Sequence, residues 1–335
     1  MLLREVLWHH FTLAQPHRLG LPSREVLERG TMRTAVLFLV FNRPDTTRRV
    51  FAAIRAAAPP RLYVAGDGPR GSHPDDSERC EESRKVATQV DWPCEVKTLF
   101  RDTNLGCGRG PTGGIAWFFE QEDEGIVLED DVLPLPTFFP YCEELLARYR
   151  HDPRVSMISG CNLIANHFHP RESYFFTKYG HIWGWATWRR AWKDYDVEMK
   201  QWPSWRDAGG LGRLSPGGRP FEGYWRDVFD RVCSGQLEDV WDYQWLFAHW
   251  RTSRLAVQPG VNLTQNIGFR PDATHTSSDE PAYLRAARPS EMSFPLRHPS
   301  SVVCSGVADS LSAAPCPRAV EGRLEERKAR LDVGP

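Results

Sequence analysis

The chain has 335 residues, and its 42 lysine and arginine residues nearly balance its 43 aspartate and glutamate residues, for a formal net charge of −1. This balance argues against general nucleic-acid binding and against adhesion to anionic lipid. With 41% hydrophobic and 25% charged residues, the composition is that of a globular protein. The longest apolar run, 35–41, has seven residues, whereas a membrane-spanning helix needs about 20. We therefore expect no membrane span and no nucleic-acid partner.

The cysteines and the N-terminus predict the compartment. No two of the eight cysteines form a C-x-x-C pair, so neither a zinc ribbon nor a thioredoxin-type redox site is indicated. Residues 1–20 lack an uninterrupted apolar stretch and a small-residue cleavage site, which argues against a secretory signal. Scattered thiols without a signal favour a cytoplasmic location.

Strand and helix patterns alternate from residue 34 onward. A continuous apolar run predicts a strand buried on both faces at 35–41, and Asp45 is the expected N-cap of the next helix. Further strands are expected at 62–65, 95–99, 126–128 and 155–159. The other helices are expected at 75–89, at 113–122 and from Pro136 to about Arg150. This alternation predicts an α/β fold with a doubly wound, mostly parallel sheet, which binds ligands at the carboxyl ends of its strands.

The second half of the chain has a different composition. Ten of the thirteen tryptophans fall within 183–250, where a glycine-rich stretch at 209–218 is expected to be mobile. Beyond about residue 280 the chain is rich in Pro, Ser, Ala and Arg without periodicity, which predicts a poorly ordered tail with a short terminal helix.

The acidic triplet, defined as Glu129, Asp130 and Asp131, directly follows a buried strand. In extended geometry Glu129 and Asp131 point to one side and Asp130 to the other. Carboxylates held this close repel one another, and a hard dication such as Mg²⁺ or Mn²⁺ would offset the repulsion. The alternative interpretation is an acidic cluster in a surface turn. By itself the triplet is also compatible with a nucleotidyltransferase or a phosphotransferase.

The segment around the triplet resembles a known family. GIVLEDDVLPLPTFF is similar to the metal-binding segment of GT-A glycosyltransferases, and most similar to that of the N-acetylglucosaminyltransferase I group. Further similar segments are VLFLVFNRPDTTRRVFAAI, YVAGDGPR, NLGCGRG, VWDYQWLFAHW and VQPGVNLTQNIGF. YGHIWGWATWRRAW also resembles bacterial family-two-like sugar transferases. The resemblance covers about residues 34–276.

The resemblance implies a GT-A fold, also called the nucleotide-diphospho-sugar transferase fold. Asp131 would bind Mn²⁺ or Mg²⁺, while Glu129 and Asp130 would bind ribose or metal-bound water. Asp67 would accept a hydrogen bond from the base, which favours uracil, and Asn42 and Arg43 would meet the base or phosphate. The full set that the resemblance assigns to the donor is Asn42, Arg43, Asp67, Asn104, Gly106, Glu129 and Asp130.

The same resemblance divides the chain. It implies an N-terminal extension at 1–33, a glycosyltransferase domain at 34–280 and a tail at 281–335. The domain would consist of a nucleotide-binding half at 34–135 and an acceptor-side half at 136–280.

Inverting transfer of a sugar needs a carboxylate that removes the proton of the attacking hydroxyl. Asp242 in the segment WDYQW is the candidate, because Trp241 and Trp245 lie on one helical face and could shield it from water. Glu238 and Asp239 are the alternative bases. Asp242 could instead be an exposed or helix-capping residue.

A late histidine could complete the metal site. His275 in the segment DATHT lies where related enzymes add a ligand, although a lone histidine is often a packing or surface residue. His181 is a weaker candidate. Core packing is the first interpretation of the tryptophans at 183, 185, 188 and 192, and contact with an acceptor is the second.

These residues and the resemblance together predict a metal-dependent, inverting glycosyltransferase of the hexosyl or N-acetylhexosaminyl type. Its expected partners are a nucleotide-sugar donor, with UDP-sugars favoured, and a glycan or lipid-linked saccharide acceptor. A sugar nucleotidyltransferase is the alternative enzyme. A catalytically degenerate sugar-nucleotide-binding protein is the alternative outside enzymes.

Overall fold

The computed structural model describes residues 32–214, 218–269, 285 and 287–313. Its strands are β1 (Val36–Val40), β2 (Arg61–Gly66), β3 (Glu95–Phe100), β4 (Glu124–Glu129), β5 (Val132–Pro134), β6 (Val155–Ser159), β7 (Tyr174–Thr177), β8 (Trp185–Trp188), β9 (Leu255–Pro259) and β10 (Thr264–Asn266). Its helices are α1 (Pro44–Ala57), α2 (Asp76–Ala87), α3 (Gly106–Gln121), α4 (Phe138–Tyr149), α5 (Arg189–Trp192), α6 (Trp202–Asp207), α7 (Gly210–Leu214), α8 (Gly218–Cys233), α9 (Asp242–Arg251) and α10 (Gly306–Ala313). The five strands expected from the sequence are present, each within two residues of its expected bounds.

The central sheet has eight strands in the order β3-β2-β1-β4-β8-β6-β9-β7. The first four strands are parallel to one another, β6 is parallel to β9, and β8 is antiparallel to both of its neighbours. Strands β5 and β10 form a separate antiparallel pair. The predicted α/β fold with a mostly parallel sheet is therefore confirmed.

Both faces of the sheet are covered, as strand β1 illustrates. Val36, Phe38 and Val40 belong to one buried apolar cluster, while Leu37 and Leu39 belong to another. Successive side chains of a strand point to opposite faces, so a strand with apolar residues at every position must lie between two packed layers. This is the physical reason that the 35–41 run contains no polar residue.

The order of the strands brings polar residues from distant parts of the sequence to one end of the sheet. Strand β1 lies between β2 and β4, with Val40 opposite Gly66 and Leu39 opposite Glu129. The segments that follow these three strands therefore begin at the same end of the sheet. They contain most of the donor-binding residues expected from the sequence.

A further apolar cluster lies among the helices of the second half of the chain. Aromatic rings from α6, α8 and α9 pack face to edge, with Trp202 4.9 Å from Phe229 and 5.7 Å from Phe247 between ring centroids. Trp225 and Trp250 extend the cluster at a centroid distance of 4.9 Å. Many of the tryptophans in 183–250 thus serve packing. Among the described residues, no helix is both long and apolar enough to cross a bilayer.

Two helix starts differ from those expected. Arg43, not Asp45, is the N-cap residue of α1, because Pro44 occupies the first turn of the helix and Asp45 follows it. Helix α3 begins at Gly106 rather than at 113, since carboxylates from elsewhere in the chain bind its first amides. Part of the glycine-rich stretch expected to be mobile forms the short helix α7.

Residues 287–313 pack against the domain, although the sequence pattern predicts a poorly ordered tail from 281. The carboxylate of Glu291 accepts a hydrogen bond from the Thr137 amide at 3.1 Å. Asp309, which is buried, accepts hydrogen bonds from the Thr177 hydroxyl at 2.7 Å and the Lys178 amide at 3.1 Å. Such long-range polar anchors leave no periodic pattern in the sequence.

Candidate active site

The acidic triplet lies in the turn after β4, beside the end of β1. Asp130 Oδ2 accepts a hydrogen bond from the Phe41 amide at 3.0 Å, and Asp131 Oδ2 accepts one from Arg43 Nη1 at 2.6 Å. The same guanidinium nitrogen lies 3.6 Å from Asp130 Oδ1. Asp130 and Asp131 therefore meet the same cation. The predicted alternation of side chains does not extend past Glu129, because the strand ends there and a turn follows.

Arg43 is a buried counter-ion of the triplet. Its side chain is 14% exposed. Burial alone would lower the pKa of Arg43, but the charges of Asp130 and Asp131 and the hydrogen bond to Asp131 raise that pKa above its ordinary value. The guanidinium therefore stays charged and neutralises carboxylates that would otherwise repel each other.

Glu129 is the member of the triplet with an unsatisfied oxygen. Its Oε1 is enclosed and has no hydrogen-bond partner among the described residues. Burial raises the pKa of Glu129 well above its ordinary value, and the negative charges of Asp131 and Asp130 raise it further. An enclosed carboxyl oxygen without a partner could bind a cation. When protonated, the same carboxyl group could donate a hydrogen bond to a bound hydroxyl.

The chemistry of this donor set fits a hard divalent cation. Mg²⁺ and Mn²⁺ take one or two protein carboxylates and complete their shells with water and phosphate oxygens. Asp131 and Glu129 could supply those carboxylates once Arg43 changes partner. Across the described residues, no group of three or more His, Cys, Asp or Glu side chains is arranged to hold a metal ion.

The two residues that follow β10 lie against Asp131. The Ile267 amide donates a hydrogen bond to the Asp131 carbonyl at 2.7 Å. A Cβ atom at Gly268 would lie 2.2 Å from Asp131 Oδ2, so only glycine permits this approach of the backbone. His275, the second metal ligand expected from the sequence, lies outside the described residues.

Asn42 belongs to a network that the sequence did not indicate. Its amide donates to Asp76 Oδ1 at 2.6 Å, and Arg70 binds the same carboxylate through two nitrogens at 2.6 and 2.9 Å. Although burial raises the pKa of Asp76, the hydrogen bonds from Arg70 and Asn42 lower it to about 2. The guanidinium of Arg70 also lies over the Phe41 ring, 5.4 Å from its centroid. In the sequence, Asp76 is marked only as an acidic residue in the first turn of α2.

Asp67, Asn104 and Gly106, three residues of the expected donor-binding set, contact one another. The Asp67 carboxylate accepts hydrogen bonds from the Leu105 and Gly106 amides at 2.9 and 3.0 Å. The Asn104 amide donates to Asp67 at 3.1 Å and to the Gly68 carbonyl at 2.9 Å. Burial raises the pKa of Asp67, and the backbone hydrogen bonds oppose this rise. Asp67 thus shapes the loop that precedes α3.

Asp242 begins α9, close enough to Glu129 for the two charges to interact. Its negative charge contributes to the raised pKa of Glu129 and, after the larger effect of burial, to that of Tyr195. The Tyr195 hydroxyl and the indole nitrogens of Trp185 and Trp245 are enclosed and lack partners among the described residues. Of these groups, the Tyr195 hydroxyl lies within range of the Asp242 charge.

The remaining candidates lie elsewhere. Burial lowers the pKa of His181 to about 4, which leaves the half-buried ring neutral. Glu238 and Asp239 are both exposed. Asp239 Oδ1 nevertheless accepts a hydrogen bond from the Gly108 amide at 2.8 Å. The glycines of NLGCGRG thus accommodate carboxylates of this chain.

Comparison with known proteins gives only distant similarity. No family model matches the sequence, and no curated protein matches it. One similar solved structure is HddC from Yersinia pseudotuberculosis, with a TM-score of 0.31, 11% identity and coverage of 51% of this chain and 85% of that one. A second is glucosyl-3-phosphoglycerate synthase from Mycobacterium tuberculosis with Mn²⁺, UDP and glucosyl-3-phosphoglycerate, with a TM-score of 0.28, 15% identity and coverage of 47% of this chain and 57% of that one.

A third similar structure is UDP-glucose pyrophosphorylase complexed with UDP-glucose, with a TM-score of 0.24, 12% identity and coverage of 44% of this chain. The match spans 62% of the pyrophosphorylase chain, so it falls short of two thirds of that protein, as it does for the synthase. Similarity this low carries no argument about activity. The site must be interpreted from its own residues.

Proposed function

We propose that this protein is a metal-dependent, inverting glycosyltransferase that transfers a sugar from a nucleoside-diphosphate sugar to a hydroxyl of a glycan or lipid-linked saccharide. The observation that supports it is the acidic triplet at the carboxyl end of β4, paired with Arg43 and within electrostatic range of Asp242. Open α/β sheets bind their ligands at this end of the strands. The GT-A assignment expected from the sequence is part of this proposal.

In this proposal Asp131 and Glu129 would hold the divalent cation. The cation would act as a Lewis acid on the diphosphate leaving group. Arg43 would exchange Asp131 for a phosphate oxygen of the donor, so that its charge stays paired. Asp76 would keep Asn42 in place at the end of β1, because that carboxylate holds the Asn42 amide at 2.6 Å.

Asp242 would accept the proton of the acceptor hydroxyl as that oxygen attacks the anomeric carbon. The neighbouring Trp241 and Trp245 are 5% and 2% exposed, so they would exclude water from this side of the base. A uridine donor remains the preferred one, with Asp67 acting through the loop that it holds at Leu105 and Gly106.

The first test is ligand binding. Purified protein would be heated with UDP, GDP, CDP or ADP, with and without Mn²⁺, and the midpoint of unfolding recorded. A ligand at about 100 times its Kd adds about 2.7 kcal/mol to the free energy of unfolding. We expect a rise with UDP that depends on Mn²⁺. No rise with any nucleotide would contradict the proposal.

The second test is turnover. Asp131→Asn should abolish metal-dependent transfer or donor hydrolysis while leaving the protein folded, and Asp227→Asn, an exposed carboxylate on α8, is the matched control. Release of pyrophosphate from a nucleoside triphosphate and a sugar phosphate would show a nucleotidyltransferase instead. Nucleotide binding without turnover across a panel of donors would show a binding protein.

A further inference from the structure

Asp239 lies in the short segment that leads into α9, and its backbone is in the left-handed region. Its φ is +60°, an uncommon value for a residue other than glycine, although Asp and Asn tolerate it best. Non-glycine residues keep such a conformation where surrounding contacts fix it. Here the fixing contact is the hydrogen bond from the Gly108 amide to Asp239 Oδ1, at 2.8 Å.

The partner segment is adapted to this carboxylate. Gly106 has a φ of +81°, and a Cβ atom there would lie 2.3 Å from Asp239 Oδ1. A Cβ atom at Gly108 would lie 3.3 Å from the Val240 carbonyl oxygen and 3.4 Å from the Asp239 Cα. Two glycines at the start of α3 therefore permit the approach of 239–240. A larger side chain at either position would separate the two segments.

The same helix start is held from its other side by Asp67, which follows β2 and binds the Leu105 and Gly106 amides. The first amides of a helix have no partner within the helix and carry its positive dipole, so carboxylates stabilise them. Asp67 and Asp239 thus share one helix terminus. Through it, the donor-side end of β2 is connected to the segment that carries Asp242.

We propose that Asp239 is a positioning residue, which fastens the start of α9 to the start of α3 and thereby sets the position of Asp242 relative to the donor. The role of Asp242 in this inference rests on the proposed function. Only two residues separate Asp239 from Asp242, so a shift at the first is transmitted directly to the second. The sequence offers Asp239 as an alternative base, but its carboxylate accepts a hydrogen bond from a backbone amide instead.

The test compares Asp239→Ala, Asp239→Asn and the control Gln236→Ala, whose exposed side chain lies three residues earlier in the chain. Displacement of a catalytic group by about 1 Å can cost about 100-fold in rate. We expect Asp239→Ala to lower kcat about 10- to 100-fold with the donor KM within about twofold of wild type. Asp239→Asn should recover most of kcat, because its amide oxygen can still accept the Gly108 hydrogen bond.

Other outcomes would overturn the inference. If Asp239→Asn lost activity as fully as Asp239→Ala and the acidic limb of the pH profile disappeared in both, Asp239 would be the base itself. If both variants kept wild-type kcat, the contact would have no catalytic consequence. If the alanine variant raised KM and lowered kcat together in proportion to a loss of thermal stability, the role would be structural only.

Amide hydrogen exchange provides a readout that does not need turnover. Asp239→Ala should speed exchange at Gly108 and in 240–244, while Gln236→Ala should leave both unchanged. This measurement tests the contact even if the wild-type protein transfers no sugar, in which case the proposed function fails and the contact can still hold. Unchanged exchange at Gly108 in Asp239→Ala would reject the contact whatever the activity.

Discussion

The Nη1 atom of Arg43 lies 2.6 Å from Oδ2 of Asp131, so the acidic triplet is already paired with a positive charge from the chain itself. Both side chains are largely buried, at 14% and 12% exposure. A cation that binds Asp131 must therefore compete with Arg43. This competition makes cation binding dependent on a new partner for the guanidinium, such as the diphosphate of a donor.

Replacing Arg43 with methionine should destabilise the protein. Removing one partner of a buried ion pair leaves an uncompensated charge, at a cost of about 3–5 kcal/mol. We expect the free energy of unfolding in urea to fall by about 3 kcal/mol. Mn²⁺ should restore more stability to this variant than it adds to the wild type, because the vacated carboxylates can then bind it.

The control for that experiment is Arg48→Met. Arg48 pairs with Glu82 at 3.1 Å, but both side chains are exposed, at 60% and 50%. Exposed pairs contribute about 0–1 kcal/mol, so this change should be small. Equal losses in the two variants, or no effect of Mn²⁺ on Arg43→Met, would argue against a cation site at the triplet.

Asp242→Asn should remove proton acceptance without removing donor binding. General-base catalysis contributes about 10²- to 10⁴-fold, so kcat should fall by that factor. The affinity for UDP with Mn²⁺, measured by calorimetry, should stay within about twofold. Asp227→Asn is the matched surface control. Retention of full kcat in Asp242→Asn would remove this residue from the mechanism.

The strands, and the end of the sheet at which polar residues gather, could be predicted from the sequence because the pattern that marks a strand is local. Buried parallel strands are continuous apolar runs, and the polar residues that follow them must lie at one end of the sheet. The contact of Arg43 with Asp131 could not be predicted, since it depends on the register that places Leu39 opposite Glu129. Asp76 reaches Asn42 through the packing of α2, which no local pattern specifies.

Glycines caused the main error in the secondary structure. The run 106–112 is typical of a loop, yet it forms the first part of α3. Each glycine there faces a close neighbour, and two carboxylates compensate for its low helix propensity by binding the helix start. The sequence shows how readily glycine forms a helix, whereas the atoms packed around each position decide whether a larger residue fits there.

Gly114→Ala should be destabilising even though alanine is the better helix former. The added Cβ would lie 2.8 Å from the Ala65 Cβ and 3.0 Å from Leu39 Cδ2, in the layer between α3 and the sheet. Overpacking of this kind costs about 1–3 kcal/mol. Chemical denaturation should show the loss as a lower midpoint with an unchanged slope.

Gly223→Ala, in the middle of α8, is the comparison for that variant. A Cβ atom there meets nothing within 4 Å, so the usual helix preference applies. We expect a gain of about 0.5–1 kcal/mol. A stabilised Gly114→Ala would show that α3 can move away from the sheet at no cost.

Two histidines whose pKa is lowered in the folded protein should make it sensitive to acid. Burial, with a smaller contribution from the charge of Arg254, lowers the pKa of His249 to about 3, and burial lowers that of His181 to about 4. Below the unfolded pKa of about 6.5 the unfolded chain binds protons that the folded chain does not. Stability is therefore complete above that value and is lost as the pH falls toward 4 and then 3.

Each histidine should contribute a slope of up to about 1.4 kcal/mol per pH unit between these limits. His249 shares a hydrogen bond with Ser156, and its Nε2 has no partner among the described residues, so protonation would leave an enclosed charge. His249→Gln should flatten the profile of unfolding free energy against pH, whereas exposed His151→Gln should not. An unchanged slope in His249→Gln would show that the ring is protonated in the folded protein.

The indoles beside Asp242 give the protein an intrinsic optical signal. Trp185 lies 5.7 Å from Trp245 and 6.0 Å from Trp241 between ring centroids, close enough to exchange excitation energy. Emission from such a group shifts when the polarity around it changes. Under the proposed function, a saccharide that binds at this face would change this emission, and ultraviolet fluorescence of the unlabelled protein would detect the change before any bond is made.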